Sequence, residues 1–280
     1  VGSVVGLVGM IAGGLIQEGL TLKFAGVTLY FSVPAITVIC IIIGIIIGIV
    51  NGALIAKCKL APFIVTLGTM YIGRGLANIR SGGNTFSSIK GQEALGNVGI
   101  MQFDSRVFAV GGFPGIPIAA ILFLILAVIA AFVLKKTPFG WHILAIGGNE
   151  KAARLSGIKV EKNIILVYAI SGACSALIGL VTMAQIAASH PNTGDTWEMN
   201  AIAAVVLGGT SMAGGVGTIG GTVIGAFVIG IINDGMTMCG VSEFWQKVIR
   251  GLVIILAVVI DQTQRNLQAK MALQARNENK

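Results

Sequence analysis

Long stretches of this chain run apolar without a break, and what ends each of them is a charge or a cluster of turn residues. A helix needs about 20 mainly apolar residues to cross the hydrocarbon core of a bilayer. Runs of that order occur at eight places: Val1–Ile16, Val33–Ala56, Ala61–Ile79, Ile116–Leu134, Asn163–Ala187, Met199–Met212, Val216–Asp234 and Trp245–Asp261. The pattern predicts an all-α, polytopic membrane protein, with a membrane domain over residues 1–262 and a tail over 263–280. The sixth run is short and leads into "GGTSMAGGVGTIGG", which predicts a broken or re-entrant helix near 199–215, tolerated where protein buries the backbone. The chain opens on Val1 inside an apolar run, with neither an initiator Met nor a cleavable signal pattern, so its natural beginning is expected to be missing.

Composition agrees. Of 280 residues, 55% are hydrophobic and 11% charged, where soluble domains carry about 25% charged residues. The 40 glycines against 6 prolines follow no collagen repeat and read as small residues that let helices approach closely. Two ladders stand at small-xxx-small spacing, Gly44–Gly48–Gly52 and Gly217–Gly221–Gly225. Packing within the subunit is the favoured reading of both, a subunit interface the alternative. The net charge of +8 is dispersed among loops rather than gathered into an aromatic-interleaved patch, which excludes a nucleic-acid partner and points to membrane orientation. Twelve Lys and Arg fall in segments 57–60, 135–162 and 263–280, and four in the loops on the other side. Cytoplasmic loops retain the excess, so the loop 135–162 and the C-terminal tail face the cytoplasm, and the loop 80–115 faces out. That outer loop reads either as a docking surface or as a loosely packed one. Cys40, Cys58, Cys174 and Cys239 have no C-x-x-C spacing and are assigned no chemistry.

Motifs that suggest enzymes fail on context. "GVGTIG", Gly215–Gly220, has membrane helices on both sides instead of the strand and acidic residue of a dinucleotide site, and Gly221 stands where a phosphate-binding loop needs Lys. All eleven Asp and Glu lie in loops, in the tail or at segment ends, whereas ion-coupled carriers place ionisable groups at depth. His142 and His190 fall on opposite sides. No catalytic or metal site is expected, and an ion-coupled secondary transporter of a small polar solute is kept only as the alternative. Polar residues that enter the apolar runs are Asn51, Thr66, Thr69, Arg74, Ser171, Ser175, Gln185 and Asn200. Arg74 lies about 20 Å up its helix at 1.5 Å per residue, and snorkelling to the outer interface is the favoured reading. Thr66 and Thr69, one turn apart, suit hydrogen bonds to a hydroxylated solute or to backbone carbonyls.

Midway stands a basic, glycine-hinged insert, "WHILAIGGNEKAARLSGIKVEKN", Trp141–Asn163. Gly147 and Gly148 are expected to form a tight hinge, Asn149 an N-cap, and Glu150 a favourable charge in the first turn. Ala152, Ala153 and Leu155 favour helix, and Gly157 is a natural C′ stop. A helix of about two turns with Lys151 and Arg154 on its surface follows, too short to cross a bilayer. It is expected to lie along the cytoplasmic face as a handle for another protein.

"TPFGWHILAIGGNEKAARLSGIKV", 137–160, resembles the cytoplasmic loop of the sugar permeases of bacterial ATP-binding-cassette importers, the family of ribose, galactose, xylose and allose transmembrane subunits. "LAPFIVTLGTMYIGRGLA", 60–77, "MNAIAAVVLGGTSMAGGVGTIGGTVIGA", 199–226, and "FWQKVIRGLVIILAVVID", 244–261, resemble the same family in order. The resemblance implies a subunit of about ten helices, of which roughly eight are in this chain. It implies a pair of permease subunits, identical or not, in the bacterial inner membrane, a cytoplasmic ATPase that uses ATP and Mg, and a periplasmic sugar-binding protein. The chain itself then holds no cofactor and catalyses no covalent chemistry. The ATPase-coupling residues are then Gly147, Gly148, Asn149, Glu150, Lys151, Ala152, Ala153, Arg154, Ser156 and Gly157. Thr66, Thr69, Asn51 and Asn200 are the candidate pathway residues. The family usually has two further helices upstream, and an acidic residue where this chain has Asn200.

Overall fold

A computed structural model describes residues 1–22, 27–87, 89–91, 96–107, 115–242, 244–253, 255–256, 259 and 262–263. Nearly the whole of the expected tail therefore lies outside the described residues. Nine helices are described: α1 Gly2–Gln17, α2 Val33–Ala56, α3 Pro62–Ser81, α4 Ile118–Lys136, α5 Pro138–Gly148, α6 Glu150–Leu155, α7 Val160–Ile186, α8 Trp197–Leu207 and α9 Ile219–Met238. Residues 244–253 are also helical. The fold is that of an all-α polytopic membrane protein, its order that of the apolar runs. By length and composition α2, α4, α7 and α9 are long enough to cross a membrane, while α1 and α8 are shorter apolar helices.

Boundaries shift for local reasons. Ile116–Pro117 is a two-residue strand paired antiparallel with Arg106–Val107, so α4 begins two residues later than the apolar run does. Helix α7 starts at Val160 rather than Asn163, because Glu161 suits the positive end of the helix dipole.

The chain forms two compact units, Val1–Leu126 with Lys159–Trp197, and Ala127–Ile158 with Glu198–Lys280. In the first, α1 is apolar or small all round and is accordingly buried along nearly its whole length. It packs with Ile36 and Cys40 of α2, Ala176, Leu180 and Met183 of α7, and Ile100 of a 3-10 turn at Ile100–Asp104. Helix α2 is turned inside out relative to a soluble helix: its buried face is Cys40, Gly44, Gly48, Asn51 and Gly52, while Val38, Ile42, Ile46 and Ile49 are exposed. Without a hydrophobic drive between spans, small residues form the seam and large ones face lipid. A Cβ at Gly44 or Gly48 would run into the α7 backbone at Gly172 or Tyr168. Within the described part of the outer loop, Ile89, Asn97 and Ile100 are fully buried and the Asn97 amide donates to the Ile16 carbonyl at 2.8 Å. This part of the loop is packed down, not loose.

The second unit holds a helical hairpin. Helix α8 ends on Gly208 and Gly209, and the chain turns through Ser211–Gly215 before Thr218 caps α9 by accepting from the Gly221 N–H at 3.1 Å. Gly221 packs on Gly208 and Gly225 on Ala204, so the second glycine ladder also packs within the chain. Helix α8, at 11 residues, covers about 16 Å at 1.5 Å per residue, half of a ~30 Å hydrocarbon core. The expected break is present.

Candidate functional site

In the first unit, α1, α2, α3 and α7 surround a small, open pocket of about 70 Å³, below the ~300–1,000 Å³ of preformed small-molecule sites. Its polar lining is Ser3, Asn51, Thr66, Thr69, Tyr168, Ser171 and Ser175. Three of the four candidate pathway residues meet here. Asn51 sits on the glycine face of α2, which is why an amide ends up between helices instead of in lipid. Thr69 Oγ1 lies in hydrogen-bond contact with Asn51 Oδ1 and 3.0 Å from the Val65 carbonyl. Thr66 Oγ1 donates to the Pro62 carbonyl at 2.9 Å, and Ser175 Oγ to the Ser171 carbonyl at 2.7 Å. Those hydroxyl protons are directed into the helix backbone, as half of the sequence reading of Thr66 and Thr69 expected, which leaves oxygen lone pairs as acceptors on the other side. Among the described residues, no charged side chain lines the pocket.

Ser3 and Tyr168 are the polar lining residues that the sequence does not single out, and Ser171 and Ser175 stand in it as polar intruders without a role. The signal was spacing: Tyr168, Ser171, Gly172 and Ser175 recur at helical intervals of three and four and share one α7 face. Asn200 does not join the group. It lies in the second unit and lines a small cavity with Asn233 and Arg250, where Asn233 Oδ1 and Arg250 Nε have no partner among the described residues.

Arg74 has specific partners: its guanidinium donates to the Pro191 and Thr193 carbonyls at 2.8 Å each and lies 3.5 Å from the Asp195 carboxylate, with 17% of the side chain exposed. These bonds offset the cost of taking the charge out of water.

The insert folds into α5 and α6. The Asn149 side chain accepts from the Ala152 N–H at 3.0 Å, and Glu150 pairs with Arg154 one turn on at 3.3 Å. At the other end Gly157, at φ 82°, lets its N–H reach the Arg154 carbonyl and the Ile158 N–H reach the Ala153 carbonyl, both at 3.1 Å. This is a Schellman stop. Lys151, Ala152 and Ser156 are exposed, and Leu155 is 90% exposed, while Ala153 is 4% exposed and anchors the helix. Gly147 and Gly148 are not the hinge. Both continue α5, and the chain breaks at Asn149, whose φ of −158° and ψ of 100° are extended. Their smallness serves an approach: a Cβ on Gly147 would lie 2.6 Å from the Gly215 backbone nitrogen, and one on Gly214 2.5 Å from the Gly147 carbonyl oxygen.

Lipid-length apolar helices, with a half-length α8 and a short capped α6 between spans, define a multi-spanning membrane protein. Residues 1–258 match the family described as the branched-chain amino acid transport system permease component, and the chain belongs to that family. It is 45% identical to the ribose import permease protein RbsC of Bacillus subtilis (strain 168), over 76% of this chain and 63% of the relative. It is 33% identical to the xylose transport system permease protein XylH of Haemophilus influenzae, over 95% and 81%. With the galactose/methyl galactoside import permease protein MglC of Salmonella typhimurium it shares 38% identity, over 93% and 76%. The chain thus spans less than two thirds of the Bacillus relative. No solved structure matches it.

Proposed function

We propose that this chain is the translocation subunit of an ATP-driven importer that carries a monosaccharide across the bacterial inner membrane by alternating access. The observation that carries the reading is the α1–α2–α3–α7 pocket, whose polar lining among the described residues is hydroxyls and one amide, with no charged side chain. Such a lining offers acceptors and rotatable hydroxyl donors to a polyol. An amino acid, the cargo in the family's printed description, would need partners for a carboxylate and an ammonium, whose burial unpaired is costly. The relatives named for ribose, xylose and galactose import support the same choice.

Energy enters through α6, which docks on a cytoplasmic ATPase that uses ATP and Mg; a periplasmic binding protein delivers the sugar, and a second permease subunit, most simply an identical copy, completes the path. The chain holds no cofactor of its own, and its C-terminus faces the cytoplasm. Thr66, Thr69 and Asn51 contact the solute in transit, while Asn200 belongs to the hairpin that moves. The test is uptake of labelled ribose, xylose, galactose and leucine into vesicles holding the assembled complex. ATP-dependent uptake of one sugar and not of leucine is expected. Leucine uptake, or sugar uptake driven by an ion gradient without the ATPase, would overturn the proposal.

A further inference from the structure

The corner between α4 and α5 carries two charges that no acidic side chain among the described residues balances. Helix α4 has no buried residue, and Val128, Ile129 and Phe132 are 53–68% exposed, so its apolar flank is bare down to its end. There Lys135 and Lys136 are exposed and form no ion pair among the described residues. The carbonyl end of α4 supplies about half a negative charge, against two full positive ones.

The corner is built rather than loose. Thr137 Oγ1 donates to the Val133 carbonyl at 2.6 Å and accepts from the Gly140 N–H at 3.4 Å. Gly140 sits so close that a Cβ would run into the Leu134 backbone. This brings Trp141 back to the end of α4: its indole N–H donates to the Lys135 backbone carbonyl at 3.3 Å, while 64% of the residue stays exposed. With the N–H satisfied, what the indole presents outward is its apolar face.

From these contacts we infer that Lys135, Lys136 and Trp141 form a binding site for one anionic phospholipid of the cytoplasmic leaflet. The phosphate lies between the ammonium groups, the indole packs at the glycerol level, and the acyl chains run along Val128, Ile129 and Phe132. Aromatic and basic residues at a span's end are the side chains that hold this depth. The bare flank of α4 selects a lipid over free phosphate, which has no use for it. A lipid held here fixes the start of α5, and with it the segment leading to α6.

The site rests on the proposed orientation for its leaflet but not on the cargo. In the full chain carrying Trp197→Phe and Trp245→Phe, Trp141 is the sole indole, and its fluorescence is read in nanodiscs of phosphatidylcholine doped with brominated phosphatidylglycerol or brominated phosphatidylcholine. Stronger quenching by the brominated phosphatidylglycerol is expected. Two lysines near a negative headgroup favour it roughly 30-fold, a preference that Lys135→Gln/Lys136→Gln removes and Lys135→Arg/Lys136→Arg keeps. Equal quenching by both lipids overturns the inference, as does a preference that survives the double Gln variant or is abolished by added inorganic phosphate. No ATP, sugar or ATPase enters the measurement, so its failure and that of the import proposal are separable.

Discussion

Arg74 shows how one side chain can be costly and useful together. Its two carbonyl bonds come from a charged donor and are each worth about 1.5–3 kcal/mol, whereas its carboxylate partner Asp195 is 70% exposed, and an exposed pair contributes about 1 kcal/mol at most. Arg74→Met should therefore lower the melting temperature of the purified chain far more than Asp195→Asn. Equal losses in the two variants would place the stability in the ion pair and contradict the geometry. The partners were not legible in the sequence: an Arg in an apolar run announces its cost, but the carbonyls of Pro191 and Thr193 that receive it lie more than a hundred residues away. Asn51 and Thr69 were legible as polar intruders, and their meeting was not, because it depends on how α2 and α3 are brought side by side, for which neither helix carries a local signal.

Helices pack here through backbone more than through side chains. A Leu at Gly48 would have to displace the Tyr168 peptide group, and overpacking of this kind costs about 1–3 kcal/mol or more, while nothing lies within 4 Å of a Cβ at Gly68. Gly48→Leu should unfold in detergent at a distinctly lower temperature, and Gly68→Leu at that of the parent chain. For α6, Leu155→Glu adds charge at a position that is 90% exposed; it should leave the melting curve unchanged and weaken co-purification of the ATPase. Ala153→Glu would instead bury a charge and unseat the helix itself. Normal ATPase capture by the Leu155 variant would remove α6 from the coupling role. Elements of this kind were readable because their signals are local. Asn149 and Gly157 marked both ends of α6, and apolar run length marked the spans. The Gly147–Gly148 pair was misread since a hinge and a close contact demand the same residue, and only the position of Gly214 and Gly215 tells them apart.

At the scale of the whole molecule, the orientation has natural reporters. Cys58 is exposed just beyond the end of α2 and Cys239 is exposed just beyond the end of α9, while Cys40 is buried. On the proposed orientation, Cys58 lies inside and Cys239 outside. A membrane-impermeant maleimide added to intact spheroplasts should label Cys239 and spare Cys58, and inside-out vesicles should show the reverse; labelling of Cys58 from outside would invert the topology. In the second unit, Gly147 meets Gly214 and Gly215 peptide against peptide. Peptide groups have no rotamers with which to absorb play. On the proposed coupling, a push carried from α6 into α5 would reach the turn between α8 and α9 undamped, like a gear train without backlash, and any residue larger than glycine at that contact would hold the teeth apart.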